Sequence, residues 1–264
     1  MQARSGRIVS HRYLRYEHLR SLCDRELLAV QIKSFYRNDV AARLAGWFQN
    51  SEARKNYAVY KQGSGLSPST TDKIGSTMNE TYDLKEGAIK SFEMQARSDF
   101  QEFREFCRPY ISPIEELRLL LDELWPNGAS IATIGDVKPF VGIARIVSAP
   151  NPCNDDPHVD CIPGYLLQLE EQFSAIAYLQ MPPEGGGLQI WDIASDSVAK
   201  LTREDGTLDR TLLPAPATVV PGVGDLVILN TRYPHTVAGF KNGVRIVQSS
   251  FFGYRPSHPL VFWS

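Results

Sequence analysis

The chain has 264 residues, 43% of them hydrophobic and 22% charged, with a formal net charge of -2 and a pI near 6.2. This is the composition of an ordinary globular protein. It excludes a largely disordered chain and argues against a broad cationic face for nucleic acid or anionic membrane. No apolar run approaches the ~20 residues of a membrane span. Arg4, Arg7, Arg12 and Arg15 precede any acidic residue. That weakly suggests an organelle targeting segment, but a disordered or docked N-terminus is the preferred reading. Cys23, Cys107, Cys153 and Cys161 form no Cys-x-x-Cys and no zinc-finger spacing. With no secretory signal they read as reduced thiols of a cytoplasmic protein.

In chain order, Leu27 to Phe35 is apolar and has strand character. Asn38-Asp39 could cap a helix running from Ala41 to Phe48, with Val40, Leu44 and Trp47 or Phe48 on one face. Residues 50–80 are rich in Ser, Thr and Gly and read as a long polar loop, a candidate lid over a pocket. Leu84 to Phe106 and Pro113 to Leu124 read as helices. Pro113 suits a first helical turn and Glu115 and Glu116 its N-terminal end. Trp125-Pro126-Asn127-Gly128 ends the second helix.

After Gly128 the pattern changes. Val137–Ser148, Phe173–Met181, Gly187–Asp192, Ala217–Val220, Asp225–Asn230 and Val244–Tyr254 are short, strand-like and separated by Pro- and Gly-rich turns. Asn242-Gly243 is a hairpin signal. Short strands with regular turns indicate a β-sandwich or jelly roll. The expected fold is therefore α+β with a mainly β core: a double-stranded β-helix (jelly roll, cupin-like) with N-terminal helices packed on it. One domain is expected over 1–264, with 1–128 mainly helical and 129–264 the jelly-roll core.

The chemistry sits in that second half. His158-Val159-Asp160 is followed by His235 and, ten residues later, by Arg245 in a β-rich run. Residues i and i+2 of an extended segment point the same way, so His158 and Asp160 can ligate one ion. His235 would complete one face of an octahedron and leave the other open. Imidazole and carboxylate with open positions suit Fe(II) better than a closed structural zinc site. Arg245 keeps its charge and offers a forked donor, so it can hold a carboxylate bidentately. The C5 carboxylate of 2-oxoglutarate is the natural guest. Arg232 and Arg255 are nearby rivals for that role. His-x-Asp alone is a weak signal; its strength comes from the later His and Arg in β context.

Four stretches carry a resemblance: Glu184-Gly-Gly-Gly-Leu-Gln-Ile-Trp191, Pro221-Gly-Val-Gly-Asp-Leu-Val-Ile-Leu-Asn230, Arg232-Tyr-Pro-His235 and Phe262-Trp263-Ser264. The C-terminal half resembles the Fe(II)/2-oxoglutarate-dependent oxygenase superfamily. Within it, the chain is similar to the stand-alone aliphatic halogenases and free-amino-acid hydroxylases. The resemblance implies that His158, Asp160 and His235 are the catalytic metal ligands and Arg245 the 2-oxoglutarate anchor, with O2 as the other cosubstrate. Halogenases of this group carry Gly in place of the Asp, which opens a chloride site. Asp160 is retained here, so hydroxylation with release of succinate and CO2 is expected. Many members place a Ser two residues after the anchoring Arg; here that position is Val247. Thr236 and Tyr178 are the candidates for the missing carboxylate contact.

Arg145, Trp191, Phe252 and Trp263, with Tyr254, are candidates to face a substrate. Core or salt-bridge roles compete for each of them. The expected partner is a small molecule, an amino acid or amino-acid-derived natural product, and the expected assembly a monomer or homodimer. Desaturation, epimerisation or ring formation would use the same cofactors. A non-catalytic cupin-like binding module and a zinc hydrolase are the rivals of other classes. The first has no need of all four residues together, and the second lacks an evident general base.

Overall fold

The computed structural model describes residues 5–61, 65–81, 86–134, 136–151, 157–193, 195–202 and 208–264. The N-terminal part holds β1 (Ile8–His11), α1 (Tyr16–Cys23), β2 (Ala29–Ile32), α2 (Asn38–Asn50), β3 (Lys55–Lys61), β4 (Gly65–Ile74), α3 (Glu86–Cys107), α4 (Pro113–Leu124) and β5 (Ala129–Ile131). The C-terminal part holds β6 (Ile143–Ser148), β7 (Glu171–Gln180), β8 (Leu188–Ile190), α5 (Ser195–Leu201), β9 (Ala217–Val219), β10 (Leu226–Asn230), β11 (His235–Val237), β12 (Val244–Tyr254) and β13 (Leu260–Trp263).

The strands form two sheets. The larger has ten strands in the order β1-β2-β10-β7-β12-β6-β4-β3, with β13 pairing β12 and β5 pairing β13. The smaller is β11-β8-β9. Both sheets draw on the C-terminal half, but β1 to β4 widen the larger one at both ends. The N-terminal part thus contributes β1 to β4 to the larger sheet beside the helices α1 to α4.

Alternation along the strands decides what faces what. The even positions of β12, with Ala175 and Ala177 of β7, face the helices. Leu19 and Leu22 of α1 and Leu117 and Leu121 of α4 pack there with Phe173 and Phe252. Val40, Leu44 and Phe48 of α2 and Phe103 of α3 cover Ile146 and Ile246 beside them. The odd positions face the smaller sheet. Tyr178, Val227, Leu229 and Val247 meet Leu188, Ile190 and Val219 across that gap. Helices thus seal one face of the large sheet and leave the other for the second sheet and a site.

Local chemistry explains most boundaries. Ser112 caps α4, its hydroxyl accepting from the Glu115 N–H at 3.2 Å, with Pro113 in the first turn. Asn38 is not the cap of α2. Arg37 occupies that position without a side-chain bond, and Asn38 is the first helical residue. The start of the third helix expected at Leu84 lies outside the described residues.

Residues 50–80 are not a long loop. Gly65–Ile74 pairs with Lys55–Lys61 on one side, and Thr71 to Ile74 pair with β6 on the other. Pro68 masks the strand in the sequence. The ladder to β6 spans only Thr71–Ile74, so Pro68 costs no bond there. Asn242-Gly243 is not a tight hairpin between paired neighbours either. Gly243 takes a left-handed φ of 89° where the chain crosses from β11 of the small sheet to β12 of the large one.

Gly224 closes the turn before β10 at φ 82°, with its N–H donating to the Tyr178 carbonyl at 2.8 Å and its carbonyl accepting from Tyr36. A Cβ there would lie 2.5 Å from the Tyr36 carbonyl oxygen and collide with the Asn38 side chain. Gly224→Ala should therefore lower unfolding free energy by about 2 kcal/mol or more, combining left-handed strain with the clash. Urea denaturation checks this. A loss under about 0.5 kcal/mol, the range of neutral surface changes, would refute it.

Candidate metal centre

His158 and His235 form an isolated antiparallel bridge, each N–H donating to the other's carbonyl at 3.1 and 2.9 Å. Directly opposed residues share a face, so their rings lie side by side, centroids 4.7 Å apart. Two residues on, the Asp160 N–H donates to the Thr231 carbonyl at 3.1 Å and turns its carboxylate to the same side. Asp160 Oδ2 lies 3.4 Å from His235 Nε2 and Oδ1 4.0 Å from His158 Nε2. One donor atom from each of the three lies within 4.8 Å of the others. It is the one such group among the described residues.

The protonation states suit a metal. His235 Nδ1 sits 3.0 Å from the Tyr233 carbonyl oxygen. A carbonyl only accepts, so in the neutral ring, the form that binds a metal, the proton sits on Nδ1 and Nε2 is the nitrogen free for an ion. Burial alone would raise the Asp160 carboxyl. The His235 contact and the charges of His158, His235 and Arg145 more than offset this and hold it well below the usual carboxylate range. His235 is buried and His158 is half-exposed, so the cluster opens to one side.

Thr231 holds the ligand loop in place and gave no sequence signal. It is fully buried, and its hydroxyl lies 3.1 Å from both the Asp160 and the Gln172 carbonyl oxygens. Gln172 in turn accepts from the Ile162 N–H just beyond the loop. Thr231→Val keeps the shape and removes the donor. It should weaken divalent-metal binding by about tenfold, the low end for outer-shell partners. Metal titration reads this, and an unchanged affinity would show that the hydroxyl has no positioning role.

Arg245 projects from β12 between the two sheets and is 3% exposed. Its Nε donates to the Gly186 carbonyl at 3.1 Å, and its guanidinium lies 5.1 Å from the Tyr178 ring centre. No carboxylate among the described residues pairs with it. Tyr178, completely buried below it, has a hydroxyl with no hydrogen-bond partner. Burial pushes the Tyr178 phenol up, with Arg245 opposing, so it remains a neutral donor. A buried cation beside an unused donor is costly unless an anion joins them.

The other expected residues are dispersed. Thr236 alternates with His235 and shares the opposite face of the small sheet with Gln189, so it does not face the ligands. Trp191 donates Nε1–H to the Pro214 carbonyl at 2.7 Å within a cluster of Ile193, Val198 and Leu208. Phe252 packs under α1 and α4 on the helix side of β12. Tyr254 is on that side too, edge-on to Trp125. Trp263 packs with Phe251, Phe92 and Ile162. Trp191, Phe252 and Trp263 are core, for the reason that strand aromatics usually are, and Tyr254 is half-buried against it. Arg232 reaches the Leu169 carbonyl and Cys161, and Arg255 is exposed, so neither rivals Arg245. Cys161 is a free thiol; Cys153 lies outside the described residues.

No protein-family model matches the chain, and no curated protein matches it. Solved structures do. An N-substituted L-amino acid dioxygenase from Burkholderia ambifaria AMMD superposes with a TM-score of 0.57 at 15% identity, over 94% of this chain and 91% of that one. This chain shares that enzyme's fold. The same dioxygenase in complex with alpha-KG gives the same figures. A prolyl-4-hydroxylase from Pseudomonas putida matches at a TM-score of 0.46 and 15% identity, over 91% of this chain and 98% of that one. No helix among the described residues is long and apolar enough to cross a membrane.

Proposed function

We propose that the chain is a non-haem Fe(II)- and 2-oxoglutarate-dependent dioxygenase that hydroxylates a small molecule, an amino acid or an amino-acid-derived natural product. It would act as a single domain over 1–264 with a jelly-roll core, in the cytoplasm, as a monomer or homodimer. The observation that carries the reading is the pairing of two features in one gap between sheets. One is an open His158-Asp160-His235 cluster; the other is Arg245, a buried cation with no paired anion among the described residues. The fold shared with a dioxygenase solved with alpha-KG supports it.

When bound, Fe(II), 2-oxoglutarate and O2 would supply the oxidising chemistry and yield succinate and CO2. His158, Asp160 and His235 would hold the metal by one face. Arg245 would grip the remote carboxylate of 2-oxoglutarate, with Tyr178 donating to it in the role that Val247 cannot fill. The apolar wall of Leu188, Val219, Val227 and Val247 would keep water from that end. Asp160 occupies the position that halogenases of the resembling group leave open, so the reading favours hydroxylation over halogenation.

Anaerobic protein mixed with Fe(II) and 2-oxoglutarate should develop a weak visible charge-transfer band. Admitting O2 should then release succinate, raised by a substrate from a panel of amino acids and their derivatives. A product heavier by one oxygen identifies a hydroxylase, and one lighter by two hydrogens identifies desaturation or ring closure. Neither band nor succinate would overturn the reading and leave a non-catalytic binding module.

A further inference from the structure

Three cations stand side by side on the inner face of the large sheet. Lys73 of β4 is directly opposite Arg145 of β6, and Arg145 is opposite Val247 of β12, two residues from Arg245. Lys73 is buried and satisfied, its Nζ 2.5 Å from Glu80 and 3.3 Å from the Thr77 hydroxyl. Arg245 is assigned to 2-oxoglutarate above. Arg145 is left over.

Arg145 has no acidic partner among the described residues. Its guanidinium lies 4.8 Å from the Tyr57 ring centre and 6.0 Å from that of Phe251, and it donates one bond to the Tyr57 hydroxyl at 3.3 Å. Its Nε is sequestered from solvent with no acceptor. Ser174, Ser249 and Phe251 lie beside it, and the Ser249 hydroxyl is likewise buried without a partner. Two aromatic rings hold the guanidinium plane, and its unused Nε–H lies in the same group of residues as a second unused hydroxyl. That arrangement is built for a planar oxyanion. Phe251, which packs on the guanidinium, belongs to one cluster with Ile162, two residues after Asp160, so a guest held there would sit on the side of the metal cluster.

We propose that Arg145 is a second carboxylate anchor, separate from Arg245, and that the substrate is a small carboxylic acid held by its carboxylate between Tyr57 and Phe251. The assignment rests on the oxygenase reading and narrows it. Free amino acids and N-substituted amino acids with an open carboxylate fit; their amides and esters do not.

The test pairs each free and N-acyl L-amino acid of a panel with its C-terminal amide. Each is titrated anaerobically into protein carrying Fe(II) and 2-oxoglutarate, following the shift of the visible band, and then assayed for succinate with O2. At least one acid should shift the band and raise succinate, while its amide binds at least tenfold more weakly. Arg145→Gln should form the band at the wild-type 2-oxoglutarate concentration but bind that acid about 10- to 100-fold more weakly, the range for a lost charged hydrogen-bonding partner. Arg145→Lys should recover part of the loss. Three results overturn the inference with the oxygenase reading intact: an amide equal to its acid, no acid acting at all, or unchanged acid binding in Arg145→Gln. Weakened 2-oxoglutarate binding in Arg145→Gln would also overturn it, because Arg145 would then serve the cosubstrate. Absence of the band in the wild type would sink the oxygenase reading itself.

Discussion

Arg245→Met should make the ligand-free protein more stable and nearly abolish its affinity for 2-oxoglutarate. The two effects have one cause. In the free protein Arg245 is a buried guanidinium with a single carbonyl acceptor and no counter-charge among the described residues. Removing an uncompensated buried charge relieves a desolvation cost. Met fills a similar volume without it. Each kcal/mol gained should raise Tm by about 2–4 °C for a chain of this size. With the cosubstrate present the sign reverses. The wild type gains a carboxylate for Arg245 and the Tyr178 hydroxyl, and the variant does not. Losing one side of a buried charge pair costs about 2–5 kcal/mol, so 2-oxoglutarate should bind the variant at least about thirtyfold more weakly. Melting curves of both proteins with and without 2-oxoglutarate, under Fe(II) and without O2, read both signs at once. A variant less stable without ligand and equally stabilised by 2-oxoglutarate would show that Arg245 is a structural strut.

His235→Ala should remove the metal site and leave the fold. His235 supplies the most buried of the three ligands, and only its ring is lost; its backbone bridge to His158 remains. The visible band should vanish and succinate formation should fall by more than about 100-fold, beyond what outer-shell changes produce. Fe(II) should raise the Tm of the wild type, since the ion binds only the folded state, and should no longer do so in the variant. Retained iron-dependent stabilisation would mean that the ion sits elsewhere.

Much of this was legible in the chain. The strands from Phe173 onward show as short apolar runs between Pro and Gly turns, and Val244–Tyr254 is bounded as expected. Pro113 to Leu124 reads as a helix because Ser112, Pro113 and two glutamates mark its start. His158, Asp160 and His235 stand together as their spacing and β context imply. Residues 55–74 were not legible. Their strands are polar and contain Pro68, so they lack the apolar runs that mark the others. Thr236 misled because adjacency in sequence to His235 means opposition on a strand.

The sequence by itself pointed to the candidate cluster, because an i, i+2 pair on an extended chain places both side chains on one side and a later histidine in β context can join them. It also pointed to the mainly β core, because short apolar runs bounded by turn residues are a local signal. Only the tertiary structure decided which cations lack partners. Arg145 and Arg245 read alike as strand arginines; Lys73 has Glu80, while those two have no carboxylate among the described residues. It alone retired Trp191, Phe252 and Trp263 to the core, since facing depends on which sheet or helix covers a strand. Pairing and coverage are long-range properties, set by where the sheets close on each other, and no local pattern carries them.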